Sequence, residues 1–191
     1  MLAGRLPITF RTTVQRGNYR EMPALIRLTR AWGATHHSFL AVDVSTHAAF
    51  ARRQDFDRSM ALSLDDLTEF DRVLDVVECD FTAEFASGYL AESPEKLRRL
   101  RQYFAALLGL HRFPSVRCNA PRFSTVIETD GSLKPCYFLP AWGRLDDAPL
   151  LHGMNAAEAV ELRRQQRLGQ RPECVRCVCS AHKGMRSLVQ M

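Results

Sequence analysis

The chain has 191 residues, of which 46% are hydrophobic and 25% are charged, and these ordinary globular values argue against intrinsic disorder. It has no apolar run of about 18 residues to span a bilayer, and its start, MLAGRLPITF, lacks a signal peptide's apolar core, so we expect a cytoplasmic protein. The net charge of +5 is dispersed over several predicted helices, which is typical of a solvated surface; a nucleic-acid partner is not expected.

The first 45 residues predict a β-α-β unit. Residues 8–14 alternate apolar and polar side chains like a strand. Asn18 and Glu21 have the spacing of a capping box, and the helix that they would open closes at Gly33. Residues 38–44 form a continuous apolar run, which is typical of a strand covered on both faces.

Two more helices follow in the same pattern. Ser63 and Asp66 predict a capped second helix, a short apolar stretch at residues 88–91 suits a third strand, and Ser93 with Pro94 opens a third helix. Alternating strands and helices favour a parallel α/β sheet with right-handed crossovers. Because a sheet of about three strands leaves its edges open, we expect this half to pair with another chain or to belong to a larger barrel.

Beyond residue 112, prolines and glycines divide the chain into short elements. Residues 124–138, STVIETDGSLKPCYF, predict a β-hairpin, since an Asp130-Gly131 pair tolerates the positive φ of a tight turn. Asn155 and Glu158 then have capping-box spacing before a last helix, which we expect to end at Gly169 and to lead directly into Cys174.

Five of the six cysteines belong to this second half, and their arrangement favours metal binding over disulfides in a reducing compartment. A hairpin returns its two ends to one place, so Cys118 and Cys136 are expected to approach each other. Cys174 and Cys177 form a CxxC loop whose thiolates face one metal, and Cys179 is a spare or alternative fourth ligand. Cys79 lies apart and is predicted to be a buried small hydrophobe.

Four thiolates suit either zinc or an iron-sulfur cluster. Zinc ribbons have a close CxxC pair on both arms, whereas Cys118 and Cys136 are seventeen residues apart, and this favours the larger iron-sulfur group. A zinc-stabilised binding module remains the alternative, and a basic iron-sulfur protein that binds nucleic acid is a third. Phe138, Trp142 and Met185 are predicted to shield the site from water.

At these residues the sequence resembles a known family. Cys118, twelve residues, Gly131, four residues, Cys136 and a distant Cys174-x-x-Cys177 resemble the auxiliary-cluster domain of radical SAM enzymes, called SPASM or, in its shorter form, Twitch. The resemblance implies a metal-binding domain at residues 116–191, a β-hairpin plus helix that holds one auxiliary 4Fe-4S cluster on Cys118, Cys136, Cys174 and Cys177. The further cysteines that would hold a second SPASM cluster are absent.

Residues 1–115 resemble the last part of the radical SAM barrel, an incomplete (β/α) barrel of about three β/α units. The resemblance implies that Thr12, Thr13, Asn18 and Asp43 lie on the side of S-adenosylmethionine. The sequence has no CxxxCxxC motif, however, which in the family holds the SAM-cleaving cluster. We therefore expect this oxidoreductase-like chain not to cleave SAM alone, and to need a partner chain that carries the N-terminal half of the barrel.

Other candidate sites are weaker. His36-His37 has no acidic residue or cysteine at ligand spacing and is interpreted as a solvent-facing or hydrogen-bonded pair. Asp65-Asp66 is typical of the first turn of a helix, where acids favour the dipole, and Asp146-Asp147 of a turn.

Overall fold

The computed structural model describes residues 6–45 and 58–184, which form two compact units. The first comprises residues 6–44 and 58–114, and the second comprises Ser45 and residues 115–184. The described residues have a mixed α/β architecture with small sheets, and they contain no closed barrel. No helix within them is long and apolar enough to cross a membrane.

The first unit has two paired strands and four helices. In chain order they are β1 (Thr9–Val14), α1 (Met22–Ala31), β2 (His36–Ala41), α2 (Leu64–Asp80), α3 (Thr82–Ala86) and α4 (Pro94–Leu107). Strands β1 and β2 are parallel and in register from Thr9 opposite His36 to Val14 opposite Ala41. The predicted β-α-β unit is confirmed.

The predicted third strand is reduced to a single parallel bridge. His37 of β2 pairs with Leu90, and the Ala91 N–H donates to the His37 carbonyl. Gly88, which immediately precedes this stretch, has a positive φ of 73°. Strand β2 therefore has a neighbour on each side, whereas the described residues give β1 a strand partner on one side only.

Two of the predicted helix starts in this unit are confirmed and one is wrong. Ser63 and Asp66 form a reciprocal capping box on α2, and Ser93 accepts the Lys96 N–H at the start of α4. Asn18 caps no helix: its side chain accepts the Gln15 N–H and donates to the Thr13 carbonyl. The predicted cap does not form because a 3-10 turn, Tyr19–Glu21, lies between Asn18 and the first residue of α1.

The core of this unit lies where α2 packs against α4. Phe70 and Phe104 are fully buried and meet edge to face with ring centroids 6.1 Å apart, and Leu74, Val77 and Leu97 are also fully buried. Cys79 is not part of this core, so its predicted burial is wrong. Since Val77 faces inward, a residue two positions later on a helix of 3.6 residues per turn points away from the core.

His37 is the least expected member of the core. It is fully buried, its Nε2 lies 2.8 Å from the Thr12 hydroxyl, and its Nδ1 lies 2.9 Å from the Thr29 hydroxyl, which in turn contacts Tyr89. Both ring nitrogens are therefore hydrogen-bonded by uncharged hydroxyls. Burial lowers the pKa of His37 to about 4, so the imidazole is neutral at physiological pH, and this half of the pair is a structural residue rather than a metal ligand.

This neutral histidine predicts a pH dependence of stability. Below about pH 6.5 the unfolded chain binds a proton at residue 37, while the folded chain stays neutral until about pH 4. Unfolding free energy should therefore fall as pH falls through this window, by roughly 3 kcal/mol in total. Urea unfolding at a series of pH values measures the loss, and His37→Gln should show a smaller one.

The exposed neighbour supplies the control for that prediction. His36→Gln changes the same residue type on the solvent side of β2 and should keep the pH dependence of the unmodified chain. Equal losses in His37→Gln and His36→Gln would contradict the assignment of the pH dependence to the buried imidazole.

The second unit contains a small antiparallel sheet and three helices. They are β3 (Val126–Ile127), β4 (Ser132–Lys134), β5 (Gly143–Arg144), α5 (Leu150–Gly153), α6 (Ala157–Arg167) and α7 (Pro172–Val175). The predicted hairpin is confirmed in β3 and β4, with Gly131 at a φ of 81° in its turn, and β5 adds a third strand beside β4. The sheet order is β3-β4-β5.

The last predicted helix is confirmed, but its start differs from the prediction. Helix α6 begins at Ala157 with Ala156 as its N-cap and no side-chain cap. The side-chain amide of Asn155 instead donates to the Leu151 carbonyl in the preceding helix α5. The capping box of Asn155 with Glu158 is therefore wrong, because the preceding short helix engages the asparagine first.

Candidate metal centre

Five cysteines line one cavity in the second unit. A small cavity of about 30 Å³ is lined by Cys118, Cys136, Cys174, Cys177 and Cys179, and all five are free thiols. The remaining walls are mostly apolar. They are formed by Val116, Ala120, Pro121, Phe138 and Leu139, with Gln166 and Glu173 as polar members.

The hairpin and the turn before it position the first two cysteines. Cys118 precedes the 3-10 turn Ala120–Arg122, and Cys136 follows β4. The Ser124 hydroxyl lies 2.9 Å from the Ala120 carbonyl and 3.4 Å from the Pro135 carbonyl. One serine side chain therefore connects the segment that follows Cys118 to the segment that precedes Cys136.

Helix α6 and the short α7 position the next two cysteines. Gln166 of α6 donates from Nε2 to the Cys118 carbonyl at 2.9 Å, so the helix is tied to the first cysteine. Arg171 donates to Gln165 of α6 and to Glu173 of α7. Cys174 lies within α7, and the Cys177 N–H donates to the Cys174 carbonyl, as expected of a CxxC turn.

Asn119 closes the site from the C-terminal side. Its Nδ2 donates to the Lys183 carbonyl at 2.8 Å, its Oδ1 accepts the Lys183 N–H at 2.9 Å, and its own N–H donates to the Ala181 carbonyl at 2.9 Å. These three bonds join the residue after Cys118 to the segment that follows Cys179. We call this arrangement the Asn119 clamp.

Backbone N–H groups and burial set the electrostatics of the thiols. The N–H groups of Phe138 and Leu139 face the Cys136 sulfur, and that of Cys179 faces the Cys177 sulfur. Burial, followed by the neighbouring thiols, raises the pKa of Cys174 to about 11 and also raises the pKa of Cys177 and Cys136. A bound cation would remove this mutual repulsion, and N–H groups aimed at sulfur stabilise the thiolate form.

Thiols are the main potential metal ligands of the cavity, with Glu173 beside them. Among the described residues, no three His, Cys, Asp or Glu side chains are arranged to hold one metal ion. A tetrahedral zinc site with bonds of about 2.3 Å places its sulfurs about 3.8 Å apart. The cavity therefore offers a set of thiol donors within largely apolar walls, and such a set suits either zinc or an iron-sulfur cluster.

The other residues predicted for this site have different outcomes. Phe138 lines the cavity, as predicted for a residue that shields the site. Trp142 does not, because it packs in a separate core with Leu133, Ala159 and Met154. Met185 lies outside the described residues.

Sequence reasoning missed Ser124, Asn119 and Gln166. None of them is a metal ligand, and two of them act across long sequence separations, from Asn119 to Lys183 and from Gln166 to Cys118. The one local signal was the position of Asn119 beside a cysteine, since asparagine side chains commonly bond to backbone groups.

The residues predicted for the S-adenosylmethionine side do not form one set in the first unit. Thr12 faces His37, whereas Thr13 is exposed and connects only through its backbone to Asn18. Asp43 is buried two residues after β2. Successive side chains of a strand point to opposite faces of the sheet, so Thr12 and Thr13 lie on different faces.

The paired acids have structural roles. Asp66 belongs to the capping box of α2, where the N–H and hydroxyl of Ser63 bond to its carboxylate, and these bonds oppose burial to leave its pKa lowered. Asp146 lies beside Arg144 next to the Gly131 turn. Both observations agree with the helix-start and turn interpretations.

Comparisons with known proteins add nothing to this geometry. No family model, curated protein or solved structure matches the chain. A functional interpretation therefore depends on the residues of the cavity and on the cysteine pattern.

The Asn119 clamp yields a prediction about metal retention. Asn119→Ala removes two side-chain bonds to Lys183, each contributing about 1 kcal/mol. We expect faster hydrogen exchange at residues 177–184 and severalfold faster loss of bound metal to a chelator. Asn155→Ala is the matched control, because its side-chain amide donates to the Leu151 carbonyl of α5, away from the clamp. Equal rates in the two variants would contradict the role of the clamp.

Proposed function

We propose that the second unit binds a single 4Fe-4S cluster through Cys118, Cys136, Cys174 and Cys177. The observation that carries this proposal is the cavity itself, around which five free cysteines from three separate segments are gathered. Cys179 is the alternative to Cys177 as fourth ligand. The cysteine spacing, similar to that of SPASM and Twitch domains, supports the same assignment.

The walls of the cavity and the N–H groups around the thiols suit a cluster. Apolar walls and N–H groups directed at the sulfurs of Cys136 and Cys177 are the features that tune cluster potentials. A zinc-stabilised binding module is the outcome that the test must exclude.

The function that follows is electron transfer or substrate positioning by an auxiliary cluster, in a chain derived from the radical SAM superfamily. An iron-sulfur cluster supplies one-electron chemistry when it is bound. The chain's own residues would hold the cluster, direct N–H groups at its thiolates and exclude water with Phe138 and Leu139. Because the sequence has no CxxxCxxC motif, SAM cleavage would require that motif from elsewhere.

The open edge of the first unit supports a partner that carries the rest of a barrel. Among the described residues β1 pairs with β2 alone, so the other backbone edge of β1 has no strand partner there. An unpaired parallel edge strand is a template for another strand. In this proposal the first unit is the last part of a partial radical SAM barrel, completed by a second chain.

Electron paramagnetic resonance tests the cluster proposal. The full chain, purified and reconstituted with iron and sulfide without oxygen, should give the signal of a reduced 4Fe-4S cluster after treatment with dithionite. A protein that stays colourless and silent, and that binds zinc instead, would contradict it. Co-expression with a candidate chain that carries CxxxCxxC tests the partner separately, since only a stable complex supports the completed barrel.

A further inference from the structure

A second cleft lies in the same unit as the cysteine cavity, and no cysteine lines it. Its volume is about 550 Å³, within the range of small-molecule sites, and it is open to solvent. Four arginines line it: Arg122, Arg163, Arg164 and Arg167. Pro121 belongs to the walls of both spaces, so the cleft lies next to the candidate metal centre.

The four arginines differ in whether their guanidinium groups already bind a partner within the protein. Arg164 is paired with Glu161 at 2.7 Å on the exposed side of α6. Arg163 is held in place, because it donates to the Met154 carbonyl at 2.7 Å and its guanidinium lies 5.3 Å above the Trp142 ring. Arg122 and Arg167 are exposed and form no ion pair with any carboxylate of the described residues.

This arrangement defines the chemistry of a ligand. Two exposed guanidinium groups beside a fixed third one favour a dianion with several oxygen acceptors, and guanidinium groups match phosphate oxygens in pairs. Met154 and Val160 supply apolar surface in the same cleft, and Val160 is 53% exposed on a helix. Such a combination suits a molecule with one anionic end and one apolar body.

We propose that this cleft binds a small organic phosphate, with the phosphate held by Arg122, Arg163 and Arg167 and the apolar body against Met154 and Val160. The proposal goes beyond the cluster assignment and does not depend on it. Arg163 is the fixed anchor, while the exposed guanidinium groups of Arg122 and Arg167 are available to bind further phosphate oxygens.

Isothermal titration of the full chain with phenyl phosphate and with inorganic phosphate tests this assignment. Phenyl phosphate should bind in a saturable way and more tightly than inorganic phosphate. The double variant Arg122→Gln with Arg167→Gln should weaken phenyl phosphate binding by about 10-fold or more, the effect expected from losing charge-assisted bonds. Its iron content should equal that of the unmodified chain, which separates this test from the cluster proposal.

The control removes the same charge elsewhere. Arg72→Gln with Arg99→Gln changes two exposed arginines of α2 and α4, and binding should be unchanged. Three results would each overturn the proposal: no saturable binding, equal weakening in both double variants, or equal affinity for phenyl phosphate and inorganic phosphate. Binding of an oligonucleotide or an acidic peptide without binding of phenyl phosphate would also overturn it.

Discussion

Replacing Cys136 with alanine should abolish cluster binding and destabilise residues 116–180. Cys136 is the cysteine that the hairpin delivers to the cavity, and the N–H groups of Phe138 and Leu139 face its sulfur. Removing one of four thiolates leaves one iron of a 4Fe-4S cluster without its protein ligand. In small metal domains, metal binding is also coupled to folding. Iron and sulfide content after anaerobic reconstitution, together with hydrogen exchange over this segment, measures both effects.

Cys79→Ala is the matched control for this change. Cys79 is exposed on α2 and does not line the cavity, so its removal should leave iron content unchanged. Loss of iron in Cys79→Ala would mean that the ligands are misassigned. Cys177→Ala and Cys179→Ala then identify the fourth ligand, and we expect iron loss in the first and retention in the second.

Phe104→Ala should give the largest loss of stability in the first unit, about 3–5 kcal/mol. The ring is fully buried and meets Phe70 at 6.1 Å and Tyr103 at 5.6 Å between centroids. Truncation removes the contact of Phe104 with Phe70 of α2 and leaves a cavity that the close-packed core cannot fill. Hydrogen exchange of the α2 and α4 amides under native conditions reports the change within this unit.

Two further variants, one in α4 and one at its C-cap, test whether the loss comes from buried packing. Phe104→Leu keeps most of the volume and should cost less than about 1.5 kcal/mol. Leu108→Ala removes an apolar side chain that is already 42% exposed and should change stability by about 0.5 kcal/mol or less. If Phe104→Ala proved no more costly than Leu108→Ala, this part of the core would be wrongly assigned.

The predicted turns and helix caps are confirmed where a single short segment determines the local structure. The Asp130-Gly131 turn follows from a glycine that tolerates a φ of 81°, and the Ser63 capping box follows from two residues of one turn. The same spacing failed at Asn18 and Asn155, because each asparagine bonds to a neighbouring carbonyl outside the helix that it was expected to cap.

From the sequence, the candidate site could be predicted only through its cysteines. Their spacing predicted a common site, and the structure places all five around one cavity. The residues that fix the backbone there were not predictable, since Asn119 meets Lys183 and Gln166 meets Cys118 only after the unit has folded. The burial of His37 was missed for the same reason, because its two hydroxyl partners come from β1 and α1.

The measurement that most directly tests the central claim is the iron, acid-labile sulfide and zinc content of the full chain after anaerobic purification. A single cluster on the four cysteines predicts about four irons and about four sulfides per chain, with no zinc. One zinc per chain without sulfide would contradict it and would make the second unit a zinc-stabilised binding module.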